Sequence, residues 1–130
     1  MKTLITILFS FLWISSFSQE KTIVVKKEKP ELTIAGVIKN NGSLSKKLLD
    51  KNLKLKVINS NYVVVCYEII MPTHDGRVRV EKRISEFLED DIKKKISLLT
   101  VGSYVTIINV IALNGSEEII VPGITVNITP

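Results

Sequence analysis

Tyr62-Val63-Val64-Val65-Cys66-Tyr67-Glu68-Ile69-Ile70-Met71 is almost unbroken apolar sequence, closed by Pro72 and followed by the turn His74-Asp75-Gly76. A run this short and this rich in β-branched residues signals a central strand covered on both faces. Residues 104–113 form a second such run, ending at Asn114-Gly115-Ser116, a hairpin turn. Between the two, Val78 and Val80 alternate with Arg77, Arg79 and Glu81, the pattern of an outer strand. Upstream, Leu32-Thr33-Ile34-Ala35-Gly36-Val37-Ile38 is a strand ending at the turn Asn40-Asn41-Gly42-Ser43. Residues 45–51 are short and polar with two leucines, one helical turn or a loop. Leu53, Leu55 and Val57 then alternate with Lys54 and Lys56 in another half-buried strand. At the C-terminal end, Ile119-Ile120-Val121 is broken by Pro122-Gly123, and Ile124, Val126 and Ile128 alternate with Thr125, Asn127 and Thr129.

One helix interrupts the strands. The spacing predicts it over residues 85–97, with Ser85 as N-cap and Ile84, Leu88, Ile92, Ile96 and Leu99 along one stripe. Acidic residues fill its first half and Lys93-Lys94-Lys95 its second, which complements the helix dipole. Glu89–Lys93, Asp90–Lys94 and Asp91–Lys95 are i,i+4 pairs in the favourable direction. The fold class is mainly β, on the border with α+β. The expected form is a small antiparallel β-sandwich of about seven strands with one amphipathic helix.

The chain has 130 residues, and residues 1–18 have the layout of a signal peptide. Lys2 precedes the apolar stretch Leu4-Ile5-Thr6-Ile7-Leu8-Phe9-Ser10-Phe11-Leu12-Trp13-Ile14, and Ser16 and Ser18 supply the small-x-small pattern for cleavage before Gln19. The apolar run is shorter than the roughly 20 residues a bilayer span requires, so the expectation is export with no stable membrane span after cleavage. A lysine-rich lead-in follows over residues 19–30, containing Ile23-Val24-Val25, and the domain occupies 31–130. About 112 residues remain after cleavage, enough for one hydrophobic core. A hydrophobic content of 45% and a charged content of 24% exclude disorder, and a single cysteine excludes an internal disulfide framework. The net charge is +5, yet lysines interspersed with glutamates, and the lack of an aromatic stacking platform, argue against nucleic acid as a partner.

No catalytic, cofactor or metal constellation emerges from the residues. His74 is the only histidine and sits in a turn, and Cys66 lies mid-strand among apolar neighbours with no cation to activate it. Glu89-Asp90-Asp91 is a solvated helix face. Glu68, the one charge in its strand, is expected to pair with Arg77 or Arg79 across the following turn. Convergence of Glu68, His74 and Asp75 in one cleft would favour the alternative class, a small secreted hydrolase or peptidase inhibitor.

Toward its end the chain reads Gly102-x-Tyr104-Val105-x-Ile107-x-x-Val110-x-Ala112-x-x-Gly115, then Ile-Val-Pro-Gly-Ile and a terminal Val-x-Ile. With the lead-in Lys29-Pro30-Glu31-Leu32, the Asn-Gly segment and the single helix, this order resembles the C-terminal domain of the gliding-motility shaft family GldM (PorM). Pro122-Gly123-Ile124 stands where that family has Pro-Pro-Ile, and Asn114-Gly115 replaces a longer turn. The resemblance implies a periplasmic β-domain of the type IX secretion and gliding machinery of Bacteroidetes. Its partner would be an outer-membrane-associated secretion component or a second copy of itself. On this resemblance the domain is expected to follow a signal peptide directly, without the anchored helix and upstream shaft domains of the full protein, as a stand-alone relative. The expected product is therefore an exported, non-enzymatic protein-interaction domain without cofactor. Its candidate interaction edge is Arg77, Val78, Arg79, Val80 and Glu81, because an edge strand carries unpaired backbone groups.

Overall fold

The computed structural model describes residues 29–130 as eight strands and one helix. In chain order these are β1 (Glu31–Ile34), β2 (Ser43–Ser45), β3 (Leu55–Ile58), β4 (Val63–Pro72), β5 (Val78–Arg83), α1 (Asp90–Ser97), β6 (Tyr104–Asn114), β7 (Glu117–Val121) and β8 (Ile124–Thr129). The signal segment and Ile23-Val24-Val25 lie outside the described residues. The mainly-β class with one helix holds.

All eight strands belong to one curled sheet, ordered β1-β3-β4-β6-β8-β2, with β5 added to β4 and β7 added to β6. β4 and β6 run through both halves of it. On its outer side β4 pairs with β3 at Val63 and with β5 over residues 67–72. On its outer side β6 pairs with β8 over residues 104–107 and with β7 over 110–114. The inward residues of both halves form a single core cluster, from Leu32 and Val57 to Tyr67, Ile107 and Ile128. Every ladder is antiparallel except β2–β8, which is parallel.

Two register shifts bend the β4–β6 pair where it passes from one half to the other. Val64 faces Ala112 and Cys66 faces Ile111, so β4 carries an extra residue there; Glu68 then faces Ile108, so β6 carries the next. Asn109 takes up the second with φ +51°, a left-handed conformation that asparagine tolerates better than most residues. At the same point β6 exchanges β8 for β7, and the Pro122-Gly123 link crosses close by. A Cβ on Gly123 would stand 2.3 Å from the Ile107 carbonyl oxygen, so only glycine fits.

Several elements differ from the sequence expectation. The first strand stops at Ile34 because Ala35 (φ +58°) and Gly36 (φ +80°) turn left-handed, bringing Ile38 back to bond Ile34. β4 is buried on one face, through Val64, Tyr67, Ile69 and Met71, while Cys66, Glu68 and Ile70 are only half-buried on the other. Residues 45–51 supply the expected single turn, a 3-10 turn at Lys46–Leu48 capped by the Ser45 hydroxyl.

The helix begins at Asp90, with Glu89 as its N-cap position and no side-chain cap, instead of at Ser85. Residues 86–88 stay outside the helix because three hydrogen bonds hold them. The Leu55 N–H donates to the Glu86 carbonyl (2.6 Å), the Leu88 N–H to the Leu53 carbonyl (2.9 Å), and the Tyr67 hydroxyl to the Phe87 carbonyl (2.7 Å). Leu88, Ile92 and Ile96 are buried as the stripe requires, but Ile84 is 86% exposed because it precedes this non-helical segment. Burial of Tyr67 pushes its hydroxyl up to about 12, so it remains a donor at any physiological pH.

Tyr67→Phe keeps the ring and leaves the Phe87 carbonyl without its donor. The expected cost is about 1–2 kcal/mol, read as a fall in chemical-denaturation midpoint with unchanged slope. Gly123→Ala is expected to cost about 1–3 kcal/mol through the clash with Ile107, measured as a lower melting temperature.

Candidate interaction edge

β5 is launched by a tight turn. The Thr73 N–H donates to the Arg77 carbonyl (2.9 Å), the Gly76 N–H to the Thr73 carbonyl (3.2 Å), and Gly76 supplies the positive φ of +85°. The Thr73 hydroxyl donates to the Asp75 carboxylate, which holds Asp75 below the usual carboxylate range. This turn sets the register from Pro72 opposite Val78 to Tyr67 opposite Arg83. Among the described residues β5 pairs only with β4, so its outer edge is open.

The two faces of β5 differ in chemistry. Arg79, Glu81 and Arg83 face the helix, and Glu81 is the hub, with its side chain only 15% exposed. It accepts hydrogen bonds from Lys95 (2.6 Å) and Arg83 (2.6 Å), with Arg79 at 3.6 Å. Arg83 also reaches Glu89 (3.2 Å) and Asp91 (2.5 Å), so one guanidinium ties β5 to the start of α1. Two of these contacts displace an expected i,i+4 pair, Lys95 going to Glu81 and Asp91 to Arg83, while Lys93 stays on the helix surface with Asp90, its i,i+3 neighbour at 3.4 Å. Tertiary packing offers partly buried partners, while the helix surface offers only solvated ones.

The other face of β5 carries Val78, Val80 and Lys82. Alternating valine and charge in an outer strand would ordinarily turn the valines inward, but here they are 66% and 56% exposed. The reason is the alternation itself. Arg79 shares its face with the buried Met71 opposite it, so the flanking valines fall on the open side. The same alternation separates Glu68 from Arg79; Glu68 stands opposite Lys82, and Arg79 turns to Glu81.

Glu68, His74 and Asp75 do not converge. Glu68 lies mid-ladder on β4, and His74 and Asp75 sit in the turn beyond Pro72, more than about 13 Å further along the strand. Cys66 is a free, half-buried thiol at the first register shift. Among the described residues no three His, Cys, Asp or Glu side chains are grouped to hold a metal ion. No described helix is long and apolar enough to cross a membrane.

A second open edge was missed in the sequence. Among the described residues β7 pairs only with β6, and its Ile120 is 76% exposed beside Glu117 and Glu118. Two acidic residues running into three apolar ones were the available signal. Compared with protein-family models and with curated proteins, the chain shows no match to either.

Glu81 gives this region a pH signature. The Lys95 hydrogen bond and the neighbouring cations lower its pKa, outweighing burial, which raises it. A carboxylate depressed in the folded state contributes stability above its unfolded pKa, and that contribution is lost as pH falls through the folded value. Glu81→Gln is therefore expected to cost about 2 kcal/mol at neutral pH. The gap to the wild-type chain should narrow as pH falls below the ordinary glutamate range, as measured by thermal unfolding across a pH series.

Proposed function

We propose that the chain is an exported, non-enzymatic interaction domain that docks a protein partner along β5. The observation that carries this reading is the open edge itself. A six-residue strand presents the unpaired backbone groups of its outer side, with Val78 and Val80 exposed beside them and Arg77, Arg79 and Lys82 setting the charge. An added strand gains main-chain hydrogen bonds from such an edge and selectivity from the alternating side chains. The signal-like N-terminus supports a periplasmic setting. The residues shared with the gliding-motility shaft family support a role accessory to type IX secretion or gliding, with an outer-membrane-associated component as partner. The alternative of a secreted hydrolase or peptidase inhibitor gains nothing from Glu68, His74 and Asp75, which stand apart.

The test is capture of the partner from native envelope by the tagged protein, with Arg77→Glu and Lys82→Glu combined as the probe. Both positions are exposed, whereas reversing Arg79 would set a second carboxylate beside Glu81. The double substitution is expected to weaken capture about tenfold, with the melting temperature lowered only slightly by the like charges then facing one another at Glu68 and position 82. Undiminished capture, with loss on reversing the exposed Lys94, would move the site to the helix.

A further inference from the structure

The sheet ends in two exposed edges of opposite charge. Arg79 and Arg83 of β5 are taken up by Glu81, Glu89 and Asp91, which leaves Lys82 as the cation of its open face, while β7 carries Glu117 and Glu118 and no cation. β4 and β6 stand between the two edges. The remaining edges are poorer templates: β1 has Leu32, Thr33 and Ile34 almost wholly buried, and β2 is three residues long.

We infer that β5 of one molecule pairs antiparallel with β7 of a second copy, so that the sheet continues from molecule to molecule. This rests on the docking role of β5 proposed above and names its partner. The register that places Val80 opposite Ile120 also places Lys82 opposite Glu118. Val80, Lys82, Ile120 and Glu118 then share the open face, since inward and outward positions alternate in step along both strands. Val80 and Ile120, 56% and 76% exposed, cover one another. Lys82 and Glu118 are both exposed, and neither has an ion-pair partner among the described residues, so the contact supplies one to each. The ladder stops where Val78 meets Pro122, which has no N–H to donate.

Charge selects this pairing over the symmetric ones. Two β5 strands would set Val78 against Lys82 and leave each Lys82 without an acidic partner across the seam. Their one favourable pair, Arg79 with Glu81, would compete for a carboxylate that Lys95 and Arg83 already occupy. Two β7 strands would oppose glutamates. Because the joined surfaces are different, the contact is heterologous and leaves a free β5 at one end and a free β7 at the other. Its product is an open chain or ring of copies.

Sedimentation velocity of the purified protein over a wide concentration range tests this. The wild-type chain is expected to shift to larger species as concentration rises, and less so at high salt. Lys82→Glu alone and Glu118→Lys alone should each self-associate about tenfold more weakly. An equimolar mixture of the two should assemble again, because each supplies the edge the other's altered strand needs, and the doubly swapped chain should assemble by itself. A wild-type chain that stays monomeric throughout overturns the inference. So does Glu118→Lys assembling as the wild type does, or a mixture that fails to recover. A monomeric wild type that still captures an envelope partner through Arg77 and Lys82 sinks self-assembly alone and leaves the docking role of β5 standing.

Discussion

The β4–β6 ladder, with its two opposed register shifts, is the constraint on which the rest of the molecule depends. A flat ladder would leave one broad sheet with an uncovered apolar face. The extra residue between Val64 and Cys66, answered by Asn109 on β6, turns the pair so that the inward side chains of both halves meet in one core. The same bend forces the outer partners to change. β4 passes from β3 to β5, and β6 from β8 to β7, and each change creates a strand with one side unpaired. The open edges thus follow from the way the core is closed.

The helix contributes by fixing one of those edges. The Tyr67 hydroxyl and the backbone bonds at Leu53 and Leu55 hold residues 86–88 outside the helix, which sets where α1 can begin. From there Lys95 reaches Glu81, while Arg83 on β5 reaches Asp91. β5 is clamped on its inner face and left unpaired along its edge. A pre-ordered edge loses less conformational entropy on pairing than a mobile strand would, which suits it to recognition.

Much of this was legible in the sequence, and the reasons divide cleanly. Strand positions followed from local patterning, since Leu53, Leu55, Val57 and the Ile124, Val126, Ile128 series report period-2 burial directly. β5 was identifiable as an outer strand from its arginines. What the pattern missed was set by distant residues. The start of the helix depends on Tyr67, eighteen positions before Ser85, and Ser85 had a good local claim to be the cap. Of the expected helix-surface ion pairs, Asp91–Lys95 lost both members to β5, Lys95 to Glu81 and Asp91 to Arg83. The outward direction of Val78 and Val80 depended on which face of β4 the register presented, and a one-residue slip inverts that. The edge of β7 stayed hidden because only the switch of partner along β6 exposes it.

The central claim is that β5 and β7 are ordered strands with one unpaired side each, and residue-resolved amide hydrogen exchange of the dilute protein tests it most directly. Amides of β4 and β6 that lie in the ladders with β5, β7, β8 or each other should be protected on either side of the strand. In β5 and β7 protection should alternate, with amides bonded to β4 or β6 slow and the intervening ones fast. Uniform slow exchange along β5 or β7 would mean that another part of the chain already covers that edge, and would contradict the account.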